Sequence, residues 1–150
     1  MYFTQKENAY LKEFREQEQL CIEKYGKYAQ SACSTQLKSL FGSLAECEKR
    51  HLQTLEGITH GEVGEVPAPS PADLTDCGNA HYADEQSRQN DAYLCRDMLG
   101  TEKHVSSGYG TGVFEFTDPK VRLMLSHIQQ EEQQHGERIY NYMKNNGMYN

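Results

Sequence analysis

The chain has 150 residues, of which 25% are charged and 37% hydrophobic, and a formal net charge of −7. That length suits one domain and leaves no room for a second of ordinary size, while the acidic balance without a long basic run argues against nucleic acid or an anionic membrane as partner. The first ten residues carry charges in place of an apolar signal core, and no run approaches the roughly 18 apolar residues that span a bilayer, so neither a cleaved secretory signal nor a membrane segment is expected.

Four helices are expected, at 5–32, 35–57, 84–114 and 119–145. The first opens on Thr4-Gln5-Lys6-Glu7, which has capping-box spacing, and steps along an apolar stripe of Leu11, Phe14, Cys21, Tyr25, Tyr28 and Ala32. The second follows Ser34 and carries Leu37, Phe41, Leu44, Leu55 and Ile58 at helical spacing. A stretch at 58–83 with Gly61, Gly64 and Pro67, Pro69 and Pro71 reads as a long crossover, which lets the third helix run parallel to the second. The third helix has Cys95, Met98, Val105, Tyr109, Gly112 and Phe116 on its stripe. Gly108, Gly110 and Gly112 are a local misfit there, each costing about 1 kcal/mol relative to alanine, and they point either to close helix approach or to a π-bulge that opens a path inward. The fourth starts at Asp118-Pro119, an N-cap with proline at the first helical position, and stops at Asn145-Asn146-Gly147.

The seams are broken by acidic and imidazole groups at one level only. Glu18, Glu48 and His51 recur as Glu102, Glu132 and His135, each shifted by 84 positions. Each half offers a lone Glu on one helix and a Glu-x-x-His on the next, with that pair on one helix face. The midpoint of Glu18 and Glu48 is Cys33 and that of Glu102 and Glu132 is Thr117, both at helix-end signals, so each ligand sits roughly 22 Å from its turn at 1.5 Å per residue and the halves converge at one depth. Four buried carboxylates without cations would repel one another and be forced to protonate. Two divalent ions cancel them. Carboxylates with one imidazole per ion suit iron, with manganese or zinc also accommodated; Glu48 and Glu132 are expected to bridge, Glu18 and Glu102 to be terminal, and His51 and His135 to take one ion each.

Tyr25 and Tyr109 superpose under the same shift and lie two turns along the seam from Glu18 and Glu102, so each is either a partner of the ligands or a core tyrosine. Lys12, Glu16, Lys49, Arg50, Gln133 and Arg138 fall off the stripes and read as solvated. So do His60, His81, His104 and His127, and Cys77 with His81 is a weak metal pair. The five cysteines, Cys21, Cys33, Cys47, Cys77 and Cys95, include no Cys-x-x-Cys pair, which fits a reducing compartment and leaves any electron donor outside the chain. Cys21 and Cys47, close in sequence to ligand positions, either contact the site or, as free cysteines more often do, act as small buried hydrophobes.

The doubled arrangement with a long crossover resembles the ferritin-like superfamily, specifically the rubrerythrin-type di-iron bundle, with all six positions matched but no cysteine-rich electron-transfer module. That resemblance implies an all-α ferritin-like four-helix bundle over 1–150, built from hairpins 5–57 and 84–145 joined by the crossover, with oxygen, peroxide or iron-oxidation chemistry. From Asp97 onward, through Asp97-Met-Leu-Gly-Thr-Glu-Lys103, Tyr109, Glu115, Pro119, Arg122 and Tyr142-Met-Lys-Asn-Asn-Gly147, the chain is also similar to the coat F family of spore coat proteins. This implies a place in the spore coat as an alternative to the cytoplasm, with other coat proteins or a second copy of the chain as partners. Two functions follow, a di-metal protein with oxidoreductase chemistry or a structural spore coat protein that acts by assembly and whose bundle site is structural or vestigial.

Overall fold

A computed structural model describes residues 2–149. It is all-helical, with α1 at Gln5–Ser31, α2 at Thr35–Thr59, α3 at Glu85–Gly112 and α4 at Pro119–Asn145, and no strand among the described residues. Each helix starts where a side chain satisfies a free backbone N–H. Thr4 and Glu7 form a reciprocal capping box, Ser34 accepts from the Leu37 N–H, Asp84 from the Ser87 N–H, and Asp118 from the Lys120 N–H ahead of Pro119. The fourth helix ends on Gly147, whose positive φ of 69° turns the chain so that the Met148 N–H reaches the Met143 carbonyl.

Short connections make α1 and α2, and α3 and α4, antiparallel hairpins. Side-chain bonds between the hairpins run in descending order on one side and ascending on the other: Tyr25 meets Glu102, Tyr28 meets Asp97, and Lys24 meets Thr101. α1 and α3 are therefore antiparallel neighbours. By the same logic His51 meets Glu132 while Arg138 meets Ser43, so α2 and α4 are antiparallel neighbours and α3 runs parallel to α2. The core between them is formed by Leu11, Phe14, Leu37, Phe41, Leu44, Leu55, Met98, Leu125, Ile139 and Tyr142, all nearly inaccessible.

α2 continues two residues past its expected end at 57. Ile58 is fully buried and extends the apolar stripe, and the stop comes at Gly61, with φ of 83°. Gly57 stays inside the helix because the Glu62 backbone folds back on it: the Glu62 N–H donates to the Gly57 carbonyl at 2.8 Å, and a Cβ at Gly57 would meet the Glu62 carbonyl oxygen at 3.3 Å. The third helix stays α-helical through Gly112 and then tightens into a 3-10 turn at Val113–Glu115, with no π-bulge. Its glycines allow close approach. A Cβ on Gly112 would strike the Phe14 ring and come within 3.0 Å of Tyr10, whereas Gly108 and Gly110 meet only the flexible amide ends of Gln17 and Gln129.

The two hairpins hold each other's turns. Asp91 of α3, fully buried, accepts the Cys33 and Ser34 N–H groups at 2.8 and 2.9 Å and the Tyr82 hydroxyl at 2.7 Å. Glu7 of α1 accepts the Thr117 N–H at 3.2 Å while its other oxygen accepts from the Thr4 N–H. Glu7 and Asp91, like Cys33 and Thr117 and the N-caps Ser34 and Asp118, are related by the same shift of 84.

The crossover lies against α2 and α4 through a 3-10 turn at Thr75–Cys77. Asn145 donates to the Cys77 carbonyl at 2.5 Å, Asn146 accepts from the Ala80 N–H at 2.7 Å, and the Cys77 thiol reaches the Arg138 carbonyl at 3.2 Å. This covering corrects the reading of Arg138 as solvated. Its side chain is buried, with a hydrogen bond to Ser43 and an ion pair to Asp76 at 3.8 Å, because the crossover occupies the face that helix periodicity leaves outside.

Replacing Asp91 with alanine strands two backbone donors at the first turn, and a loss of about 2–4 kcal/mol is expected in urea unfolding. Unchanged stability would mean that water serves those donors equally well. Gly112→Ala is expected to cost about 1–3 kcal/mol by overpacking against Phe14, while Gly108→Ala should come out near neutral or stabilising in the same assay.

Candidate metal centre

At mid-height in the bundle the seam residues of all four helices meet. Glu18 and Glu48 are inaccessible, and His51, Glu102, Glu132 and His135 are no more than 3% exposed. Their oxygen and nitrogen atoms fall into two overlapping groups whose members lie within 4.8 Å of one another: Glu18, Glu48, His51 and Glu132 in one, and Glu48, Glu102, Glu132 and His135 in the other. Glu48 and Glu132 belong to both. Glu18 belongs only with His51, and Glu102 only with His135.

The imidazoles present the same atom inward. Nδ1 of His51 lies 2.7 Å from Glu132, 3.2 Å from Glu48 and 3.7 Å from Glu18. Nδ1 of His135 lies 3.1 Å from Glu48, 3.4 Å from Glu102 and 3.6 Å from Glu132. The two rings stack at 5.8 Å between centroids, which fits the halves being related by an approximate twofold axis.

The tyrosines cross between hairpins. The Tyr25 hydroxyl donates to Glu102 Oε1 at 2.5 Å and the Tyr109 hydroxyl to Glu18 Oε1 at 2.6 Å, so each tyrosine serves the lone Glu of the other half. Burial, and then the nearby carboxylates, hold both phenols well above their ordinary range, so they remain donors. In each case the bonded oxygen is also the one that approaches a histidine Nδ1, and the second oxygen, Oε2, has no hydrogen-bond partner.

Charge balance within the site rests on protons. Burial, then Glu48, pushes Glu18 up to about 7, and burial with Glu102, Glu48 and Glu18 raises Glu132 well above the carboxylate range. Burial works against the imidazolium form of both histidines, but the surrounding acids and the Cys47 thiol outweigh it and raise them. Glu48, despite burial, is held well below the usual range by His135 and His51.

Even with those protons the polar atoms are not all matched. Glu18 Oε2, both oxygens of Glu48, Glu102 Oε2, Glu132 Oε2 and His135 Nδ1 are buried without a hydrogen-bond partner. So many orphaned acceptors clustered at one point is far from the near-complete satisfaction of native interiors.

Two residues beside the site carry no signal in a stripe analysis. Glu131 accepts from Nε2 of His51 at 2.9 Å, and the Cys47 thiol lies 3.7 Å from the same nitrogen. Burial pushes Cys47 up, but the two histidines outweigh it and bring the thiol down to about 6; buried as expected, Cys47 also touches His51 of the site. The signal that could have found both is the repeat itself, since 47 and 131 differ by 84. Cys21 is buried and inert, its thiol pushed up by burial and the acids around it. His60, His81 and His104 are exposed, and Cys77 bonds a backbone carbonyl rather than His81. His127 is half-buried, 3.4 Å from Glu131.

Two clefts approach the centre. One, about 670 Å³ and mainly apolar, opens between α3 and α4 beside Leu99, Ser106, Gly136 and Tyr140 and reaches Glu102 and Glu132. The other, about 570 Å³, lies between α2, α4 and the start of the crossover and reaches His51 and Glu131. Among the described residues no helix is long and apolar enough to cross a membrane.

No curated protein and no solved structure matches the chain. One family model does, over less than half of the length, beginning inside α3 and taking in Glu102, Tyr109, Glu132 and His135. Residues 90–150 match the Coat F domain, and that match associates the chain with the spore coat.

Proposed function

We propose that the chain is a single ferritin-like domain that binds two divalent metal ions at the centre of its bundle, as a protein of the spore coat. The observation that carries this reading is the crowding of four buried carboxylates and two imidazoles at one point, where five carboxylate oxygens and His135 Nδ1 make no well-directed hydrogen bond even though His135 Nδ1 lies 3.1 Å from Glu48. Divalent cations are the groups that satisfy such atoms and cancel their charge at once. Oxygen-rich ligation with one imidazole per ion suits iron, and also manganese or zinc.

Each group of residues has a part in this. Glu48 and Glu132, common to both groups, would be shared between the two ions. Glu18 with His51 and Glu102 with His135 would each serve one ion, the imidazoles offering Nδ1. Tyr109 and Tyr25 would hold the terminal carboxylates in place through Oε1 of Glu18 and of Glu102. A bound iron pair supplies two one-electron changes, the chemistry of oxygen or peroxide reduction and of ferrous oxidation. The apolar core keeps bulk water from the centre, the cleft between α3 and α4 gives small molecules a route to Glu102 and Glu132, and electrons come from an external donor. A second reading is favoured by the Coat F domain match itself: the protein works by assembling with other coat proteins or with itself, and the metal pair only neutralises the buried acids.

Elemental analysis of protein purified without a metal-affinity tag and loaded anaerobically with ferrous iron is expected to give two ions per chain, with a ferric absorption appearing in air. A folded protein that takes up none would leave assembly as the function. Glu48→Ala and Glu132→Ala are each expected to abolish both ions, since each carboxylate is shared; full stoichiometry in both variants would remove the metal reading.

Binding should also release protons. Glu18 has a folded pKa of about 7 against about 4.3 for a free glutamate, so it is protonated below 7 in the metal-free fold and that proton must leave when an ion binds. Apparent affinity is therefore expected to rise with pH up to and through about 7. Calorimetric titrations in buffers of different ionisation enthalpy measure the released protons, and a pH-independent affinity would contradict the assignment.

A further inference from the structure

The repeat relates Glu131 to Cys47 as it relates Glu132 to Glu48, so an acid in one half stands where a thiol stands in the other. Glu131 accepts from Nε2 of His51 at 2.9 Å, on the side of the ring away from the central carboxylates. Among the described residues His135 has no such acid: its carboxylate neighbours are Glu48, Glu102 and Glu132, all reached through Nδ1, and the Cys47 thiol, which the repeat offers in place of Glu131, lies 3.7 Å from Nε2 of His51. Surroundings explain the difference in residue type. Glu131 is half-buried at the edge of the 570 Å³ cleft, where a charge stays solvated, whereas Cys47 is 7% exposed.

A carboxylate on the outer nitrogen of a ligating imidazole fixes the tautomer that leaves Nδ1 free, holds the ring plane and makes the ligand more basic; a thiol is a weak acceptor and does each of these less well. We propose that Glu131 is the positioning residue of His51, that Cys47, its counterpart under the repeat, gives His135 no equivalent acid, and that the two metal positions are consequently unequal, the ion on His51 being the more tightly held. This rests on the metal reading above and adds to it an ordering of the two positions: His51 fills first, and the ion on His135 is the exchangeable one.

The test is an anaerobic titration of the full chain with cobalt(II), followed by calorimetry and absorption. Wild type is expected to show two dissociation constants about 10–100-fold apart, the effect usual for an outer partner of a metal-bound histidine. Glu131→Cys makes the halves alike, and the constants should merge at the weaker value. Glu131→Gln, whose amide oxygen still accepts from Nε2, should recover part of the difference, and Cys47→Ala should leave the tighter constant where it was. Melting of the metal-free variants serves as the control, since Glu131 is half-buried at the cleft edge and a general loss of fold would weaken both positions together. Wild type that binds two ions with equal affinity, or a Glu131→Cys isotherm identical to wild type, overturns the inference and leaves the metal reading intact. A near-ultraviolet thiolate-to-cobalt band abolished by Cys47→Ala would make Cys47 a ligand and overturn the inference, while wild type that binds no ion removes both.

Discussion

Four carboxylates buried within one cluster set the terms for everything around them. An acid in a core costs several kcal/mol unless its charge is cancelled, and here none of Glu18, Glu48, Glu102 or Glu132 has a lysine or arginine in reach; the balancing groups are two imidazoles and the protons that the acids retain. The tyrosines, the turns and the crossover can be understood as devices that keep these six side chains in register while the helices are pulled together by apolar contacts above and below. Phe14 stacked on Tyr109 at 4.5 Å, and Tyr25 against Phe41 at 5.6 Å, show how the apolar packing and the polar centre share the same side chains. The tyrosine rings belong to the core and their hydroxyls to the site.

Depth is what made the centre legible from residue order. A helix advances by a fixed rise, so equal separation from a turn translates into equal height, and a stripe at 3.6 spacing translates into a face. Those two rules suffice for Glu18, Glu48, His51 and their counterparts, and for the four helices to within two residues at each end. They say nothing about what covers a face from outside the bundle. Arg138 lies off the stripe and is nevertheless buried, because the Thr75–Cys77 turn of the crossover packs over it. They are equally blind to a side chain that works at a neighbour's end. Glu7 looks complete as the partner of Thr4 in a capping box, and its second oxygen reaches Thr117 only once the other hairpin is in place.

The repeat is deeper than its identities suggest. Few residue types match across the 84-position shift, yet functions do: N-cap with N-cap at Ser34 and Asp118, phenol with phenol at Tyr25 and Tyr109, turn-binding acid with turn-binding acid at Glu7 and Asp91. What is held in common is the physical task at each place. Where the task differs, the residue differs, as with Glu131 at an open cleft and Cys47 in the packed interior.

The exchange of turn-binding acids bears on how such a chain can be assembled. Each hairpin helps to hold the bend of the other, and each lone Glu accepts from the other half's tyrosine, so some of the contacts that finish one half come from its mate. That is the relation between subunits of an isologous dimer, in which every contact occurs twice about the axis. The segment between Gly61 and Asp84 turns that association into an intramolecular one, fixing the effective concentration of one half around the other. It also frees the halves to diverge, since a covalently joined pair need no longer satisfy both sides of its interface with one sequence.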